Sequence, residues 1–247
     1  VGGVPRWSVI IPAYNEAARL PRYLKDVLAY FEARDEAYEV IVVDDGSEDG
    51  TADRVREVAA GRPGVIVHAL DRNRGKGHAV RAGMARAVGE LRLMADADGA
   101  TPIAEVARLE AAVTAGADLA VGSRVLEDPA VIREVRVHRK LSGHVFNFLL
   151  RRLGAAPVLD TQCGFKLFRG AAAAALFPQL TTDGFGFDVE LLMLAKRGGF
   201  RVAEVAVNWA DQPGSKVRVL REGPRMLYEV LAARRRLAGR PPGGRGA

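Results

Sequence analysis

The sequence is poor in sulfur and imidazole, with one cysteine, Cys163, and four histidines in 247 residues. A lone cysteine excludes an internal disulfide framework and is compatible with a reducing cytoplasm. The histidines show no paired spacing, so no zinc site is expected. Nor is there a run of about 18 uncharged apolar residues, the minimum for a membrane span. Val1-Gly2-Gly3-Val4-Pro5 lacks the basic and apolar regions of a signal peptide. The expectation is a protein that neither spans a membrane nor is secreted. Two nucleotide-binding signatures are also missing: the first apolar run is not followed by G-x-G-x-x-G, and no G-x-x-x-x-G-K-[ST] occurs.

What is present is ordinary globular material, 49% hydrophobic and 27% charged, with length enough for one domain and a sizeable core. The net charge of +6 calls for anionic partners such as phosphates, nucleic acid or an acidic membrane surface. The central stretch is Leu91-Arg92-Leu93-Met94-Ala95-Asp96-Ala97-Asp98-Gly99-Ala100-Thr101, an apolar run ending in two carboxylates. Side chains alternate along an extended chain, so Asp96 and Asp98 point the same way where a strand leaves its sheet. Open α/β sheets bind ligands in that crevice. Two carboxylates with substrate phosphate oxygens suit a hard cation, Mg²⁺ or Mn²⁺. An Asp-x-Asp also arises about once by chance in a chain of this size, so the other loops have to decide.

The chain in order predicts repeated strand–helix alternation. Strands are expected at Trp7–Pro12, Tyr38–Val43, Val65–Leu70, Leu91–Ala95 and Asp118–Val121, with apolar helical faces between them. Right-handed crossovers then give a parallel sheet that gathers the polar loops at one edge. After Arg124 the rhythm changes: helices are expected at His138–Leu153, Asp188–Arg197 and about Pro224–Leu237, with strands at Phe165–Phe168 and Arg201–Trp209. The nucleotide half is expected at about 7–124 and the acceptor half at about 125–237 of a single domain, with 238–247 a disordered basic tail.

At that edge, Pro12-Ala13-Tyr14-Asn15-Glu16 offers a ring and a carboxylate for a base and a ribose, and Asp44 and Asp45 are rival acceptors for a base N–H. Each also has a plain alternative, with Tyr14 covering the sheet edge and Asp44-Asp45-Gly46-Ser47 forming a turn. Asn73-Arg74-Gly75-Lys76-Gly77 is a basic, glycine-flanked helix start suited to an anion.

These motifs, in this order, resemble the family 2 glycosyltransferases of the GT-A fold, an α/β fold with a mostly parallel central sheet flanked by helices. Asp160-Thr161-Gln162-Cys163-Gly164-Phe165-Lys166, Phe187-Asp188-Val189-Glu190-Leu191-Leu192 and Pro213-Gly214-Ser215-Lys216 narrow the resemblance to the dolichyl-phosphate β-glucosyltransferases. The dolichyl-phosphate mannose synthases are close relatives. The similarity runs from about Trp7 to Tyr228. It implies an inverting, metal-dependent transfer of a sugar, glucose from UDP-glucose or alternatively mannose from GDP-mannose, to a polyprenyl phosphate at the cytoplasmic membrane face.

Carried over by position, the resemblance implies that Pro12, Ala13, Tyr14, Glu16 and Asp45, with Asp44 as rival, hold the nucleoside. Lys76 then joins the nucleotide-sugar site, as does Gln162, for which satisfying a loop backbone is the plain alternative. Asp96 sits near ribose and metal, and Asp98 ligates the metal. Ala100 stands where mannose synthases carry a Gln, which leaves a third protein ligand open. Arg124, Arg139 and Ser142 match lipid-phosphate positions, with Arg133, Arg136 and Lys140 as rivals of Arg139. Lys216 closes over the diphosphate. A nucleotidyltransferase and a non-catalytic basic module remain as competing readings; nucleic acid is not the expected partner, and a homo-oligomer is open.

A phosphate acceptor needs no protein base, because a monoester with a second pKa of about 6 is already mostly dianionic at neutral pH. Asp188 and Glu190 are the candidates should one be required, set against a plain role as acids at a helix start. Two amphipathic stretches suit an anionic leaflet: Met226, Leu227, Val230, Leu231 and Leu237 among arginines, and Phe146, Phe148 and Leu149 with Arg151 and Arg152. For the first, packing onto the core is the equal alternative.

Overall fold

The computed structural model describes residues 3–134, 158–212 and 219–239. Its main sheet holds seven strands: β1 (Trp7–Ala13), β2 (Tyr38–Asp44), β3 (Val65–Ala69), β4 (Leu91–Ala95), β5 (Leu119–Ser123), β7 (Phe165–Arg169) and β8 (Val202–Ala206). Their order is β3-β2-β1-β4-β7-β5-β8. All neighbours run parallel except β7, which lies antiparallel to both β4 and β5. A short parallel pair, β6 (Arg133–Glu134) and β9 (Trp209–Ala210), forms a second sheet.

The apolar runs of the central strands are continuous because both faces are covered. Ile10, Ile41, Met94 and Val121 face one core cluster with α3 (Lys76–Arg86), α5 (Gly170–Leu176), α6 (Phe187–Arg197) and α7 (Val219–Ala238). Val9, Ile11, Val42 and Leu93 face the other with α1 (Leu20–Glu32), α2 (Thr51–Ala59) and α4 (Val106–Thr114). Alternate residues of one strand thus supply both cores, the two-residue period of an extended chain.

Several expectations shift. The helical face expected between β4 and β5 opens as a short 3₁₀ turn, Ile103–Glu105, before α4. The strand expected across Arg201–Trp209 is cut in two, because Asn208 turns the chain from one sheet to the other; its side chain donates to Glu105 at 2.6 Å and accepts the Ile132 amide at 2.6 Å. Helix α7 begins five residues before Pro224, which lies inside it. The expected helix at His138–Leu153 falls outside the described residues, as do Arg136, Arg139, Lys140, Ser142 and Lys216.

Candidate active site

The carboxyl ends of β1, β2 and β4 open onto one cavity of about 510 Å³. Tyr14, Glu16, Asp45, Lys76, Asp96 and Asp98 line it, together with Pro12 and Ala13. Parallel strands end at the same edge of the sheet, so residues far apart in sequence meet there.

The loop after β1 is fixed to the loop after β2 by side chain–backbone bonds. Ser47 Oγ accepts the Asn15 amide at 2.8 Å, Thr51 Oγ1 accepts the Glu16 amide at 2.7 Å, and Asn15 Oδ1 accepts the Glu48 amide at 2.9 Å. Asn15 takes a left-handed φ of 54°, which Asn tolerates better than most residues. Tyr14 is left at the rim with 40% of its surface exposed.

The two neighbouring aspartates separate cleanly. Asp44 is spent on its own turn, accepting the Ser47 amide at 3.1 Å and the Ser47 hydroxyl. Asp45 lines the cavity and accepts the Arg74 and Gly75 amides, both at 2.8 Å. Burial raises the Asp45 carboxyl above its ordinary pKa, and those two amides oppose the rise. They also fix the start of α3, where Gly75 adopts a φ of +108° and a Cβ would stand 2.4 Å from the Asp183 carbonyl oxygen.

Asp96 and Asp98 lie just beyond β4. Asp96 Oδ1 accepts from Lys76 Nζ at 2.7 Å, and Asp98 Oδ1 accepts the Ala100 amide at 3.0 Å. Asp98 Oδ2 stands 4.0 Å from Arg19, whose guanidinium is held mainly by Glu16. Burial raises the Asp98 pKa, and the adjacent Asp96 charge raises it further. Two mutually repelling carboxylates that keep oxygens toward a cavity suit a hard divalent ion. Among the described residues no cluster of three or more His, Cys, Asp or Glu side chains forms a closed metal cage. Two carboxylates on a cavity rim would fit an ion that completes its shell with substrate oxygens, as Mg²⁺ commonly does with phosphates.

Asp96 also depends on the chain behind it. Its amide bonds the Gly164 carbonyl at 3.0 Å, and a Cβ on Gly164 would lie 1.9 Å from Asp96 Oδ2. Any larger residue there displaces the carboxylate. Gln162, next to this contact, has its Nε2 buried without a hydrogen-bond partner among the described residues. A buried donor left unmade is costly, and such a group usually marks a place for a ligand or water.

Arg124 stands outside the cavity lining, its guanidinium fixed in a fork on Asp160 at 2.7 and 2.8 Å. The Arg124 amide donates to the same carboxylate at 2.9 Å, and the guanidinium lies 5.8 Å from the Trp209 ring centre. Burial would raise the Asp160 carboxyl, but the Arg124 charge takes it below its usual value. Glu204 holds the Leu159 and Asp160 amides at 2.8 and 2.9 Å.

Asp188 and Glu190 are both buried and neither lines the cavity. Asp188 accepts from Lys166. Glu190 accepts the Thr181 and Thr182 amides at 3.1 and 2.8 Å and the Thr181 hydroxyl at 2.8 Å.

Some lining residues gave no sequence signal for this cavity. Arg19 sits three residues after Glu16, a helical-turn spacing that the motif around Tyr14 obscures. Gly184, Phe185, Arg225, Met226 and Glu229 close the far wall from α7 and the loop before α6. Glu229 accepts the Gly186 amide at 2.9 Å, which fixes α7 to that loop. Met226, Val230, Ala233 and Leu237 are buried against the core, while Tyr228 is 73% exposed on the opposite side. Of the two alternatives for this helix, its inner face thus packs on the core.

A model of the family described as Glycosyl transferase family 2 matches residues 8–177. Dolichyl-phosphate beta-glucosyltransferase of Mus musculus is 42% identical over 223 residues, covering 85% of this chain and 69% of that one. The Saccharomyces cerevisiae protein of the same name is 34% identical over 246 residues, covering 92% and 73%. Among solved structures, glucosyl-3-phosphoglycerate synthase from Mycobacterium tuberculosis in complex with Mn²⁺, UDP and glucosyl-3-phosphoglycerate superposes with a TM-score of 0.70. It is 21% identical, with 96% of this chain and 81% of that chain covered, a likeness of fold. The strand order, the Asp96–Asp98 rim and the family match over more than half of the sequence lead to one assignment: the chain belongs to glycosyl transferase family 2 and is a glycosyltransferase of the GT-A fold.

Proposed function

We propose that this glycosyltransferase moves glucose from UDP-glucose, with inversion, to a polyprenyl phosphate of the dolichyl type at the cytoplasmic face of a membrane. The reading rests on one observation, the convergence of Tyr14, Glu16, Asp45, Lys76, Asp96 and Asp98 on a single cavity. Relatives named as dolichyl-phosphate beta-glucosyltransferases supply the acceptor and sugar. A fold neighbour crystallised with Mn²⁺ and UDP-glucose supports the donor and the ion.

In this scheme Tyr14 faces the base, Asp45 accepts from its N–H, and Glu16 reaches the ribose. Asp96 and Asp98 hold Mg²⁺ or Mn²⁺, which when bound supplies positive charge to the departing diphosphate. Lys76 adds a second cation there, and Lys216 a third. An oxygen of the dianionic lipid phosphate attacks the anomeric carbon as the bond from that carbon to the UDP oxygen breaks. UDP takes the electron pair, and no proton need move. Arg124, preset by Asp160, receives the acceptor phosphate with Arg139 and Ser142, and the Gln162 side-chain amide, without a partner among the described residues, meets a sugar hydroxyl. Residues of about 7–124 mainly serve the nucleotide and residues of about 125–237 mainly the acceptor, with Arg124 crossing to the acceptor phosphate and Gln162 and Lys216 to the donor.

The lipid requires a surface. No helix among the described residues is long and apolar enough to cross a membrane. The outward side of α7 carries exposed Tyr228, Arg234 and Arg235 beside half-buried Leu227 and Leu231, a mixed apolar and basic face suited to an anionic leaflet.

Incubation with polyprenyl phosphate, Mn²⁺ and either UDP-glucose or GDP-mannose tests the proposal. Glucosyl lipid and UDP are expected. GDP and mannosyl lipid would reassign the donor, whereas pyrophosphate release would indicate nucleotidyl transfer.

A further inference from the structure

A lysine without exposed surface lies in the middle of the sheet. Lys166 of β7 pairs laterally with Met94 and Val121, both buried apolar residues, and its own exposure is 0%. Its ammonium donates to the Cys163 carbonyl at 2.7 Å and to Asp188, which is 1% exposed. Apolar side chains of similar volume often stabilise a core as well as a buried ion pair does, or better. Packing therefore does not account for this pair, and what surrounds it does.

Asp188 is the second residue of α6, whose first turn abuts the first turn of α3. A Cβ on Gly77 would stand 2.7 Å from Phe187 Cβ and 2.5 Å from the Thr182 carbonyl oxygen, so only glycine permits the approach. Two helix N-termini, each carrying partial positive charge, therefore meet beside the cavity. Lys76, the first residue of α3, adds a full positive charge where the dipole disfavours one. Two carboxylates compensate. Asp96 bonds Lys76 from the cavity side at 2.7 Å; Asp188, in the abutting first turn of α6, lies on the interior side, near enough for charge attraction though outside ion-pair contact.

From this juxtaposition we infer that Asp188, held by Lys166, is a positioning residue: it anchors the Lys76 ammonium between α3 and α6, ready to turn from Asp96 to the diphosphate of the bound nucleotide. The inference rests on the nucleotide-sugar reading of the cavity and goes beyond it. When Asp96 is drawn to other ligands on substrate binding, Lys76 needs a second anion to keep its place, and Asp188 is the buried acid that supplies it. The bond from Lys166 to the Cys163 carbonyl extends the same support to the loop carrying Gly164, against which the Asp96 carboxylate rests. One buried ion pair thus braces both partners of the Lys76–Asp96 contact. Asp188 bonds Lys166 and does not line the cavity, which argues against it as a base.

The test compares binding of UDP and of uridine, each with Mn²⁺, by calorimetry on the full chain. Asp188→Asn is expected to weaken UDP binding about tenfold, the scale of a lost charge-assisted contact, and to leave uridine binding unchanged. In a Lys76→Met background the same substitution should have no further effect on UDP, because the two residues act as one unit. Should Asp188→Asn fail to fold, the apolar pair Lys166→Met with Asp188→Leu restores a neutral core and should still show the selective loss for UDP. Equal loss for UDP and uridine, full additivity with Lys76→Met, or wild-type UDP affinity in either variant overturns the inference. If the wild type binds neither UDP nor GDP, the reading of the cavity falls and this inference with it; UDP binding retained by the wild type but unaffected by the variants sinks the inference alone.

Discussion

Two pairs of acids in this chain look alike on paper and behave in opposite ways in the fold. Asp96 and Asp98 are separated by one residue just past a strand, and both line the cavity. Asp188 and Glu190 have the same separation, but on the first turn of α6. On a helix, residues two apart point roughly 200° from each other, so Asp188 turns to Lys166 and Glu190 to Thr181 and Thr182. The first pair keeps its carboxylates on the cavity, with few partners among the described residues. The second pair is turned into the protein, where Asp188 pairs with Lys166 and Glu190 holds the loop at Thr181 and Thr182. Spacing alone says little about an acid pair; the period of the backbone beneath it decides whether the charges meet.

The sharpest way to break this comparison is to remove one member of each pair. Asp188→Ala strands a buried lysine and should lower unfolding free energy by about 3–5 kcal/mol, read by denaturant titration. Replacing both Lys166 and Asp188 with apolar residues should recover most of that loss. Asp98→Ala should do the reverse, leaving the denaturation midpoint nearly unchanged while metal-dependent turnover falls on the order of 10²–10³-fold. Equal destabilisation by Asp98→Ala and Asp188→Ala would erase the distinction between the pairs.

A smaller effect concerns Glu190. Burial would raise its carboxyl, but hydrogen bonds from Thr182 and Thr181 hold it below the usual carboxylate range. A depressed folded pKa means that the bound proton favours the unfolded chain. The associated stability is present above the unfolded value of about 4.3 and disappears as pH falls through the folded value. Glu190→Gln should therefore cost about 1–2 kcal/mol at neutral pH and flatten the acid limb of the stability profile. Thermal melts at pH 7 and at pH 3 would show it; an unchanged acid limb would count against that role for Glu190.

Much of the architecture was readable from particular residues. The run Trp-Ser-Val-Ile-Ile-Pro and the run Tyr-Glu-Val-Ile-Val-Val became β1 and β2 because short continuous apolar segments bounded by turns suit strands buried on both faces. Strand β5 reaches Ser123, beyond the expected Val121, because Gly122 and Ser123 stay in register with Val205 and Ala206. Helix α5, Gly170-Ala-Ala-Ala-Ala-Ala-Leu, gave no signal, since a stretch of alanines has no apolar period to detect. That β7 would enter between β4 and β5 in the opposite direction was equally hidden, because a strand's own residues do not record which neighbours it pairs with. In the site, the Asp-x-Asp rim and the loop around Tyr14 were visible as local patterns. The wall formed by Met226 and Glu229 was not, since it lies more than a hundred residues from the loops it faces.

By itself the sequence determined the alternation of strands and helices and the chemistry at the strand ends, because hydrophobic period and turn residues act over a few neighbours. Its ordered motifs also pointed to the family. Only the tertiary structure decided which of Asp44 and Asp45 meets the cavity, that Lys166 and Asp188 neutralise each other inside the core, and that α7 turns one side to the site and another to solvent. Those outcomes depend on charges and surfaces brought together from distant segments, where burial sets the cost of leaving any of them unmatched.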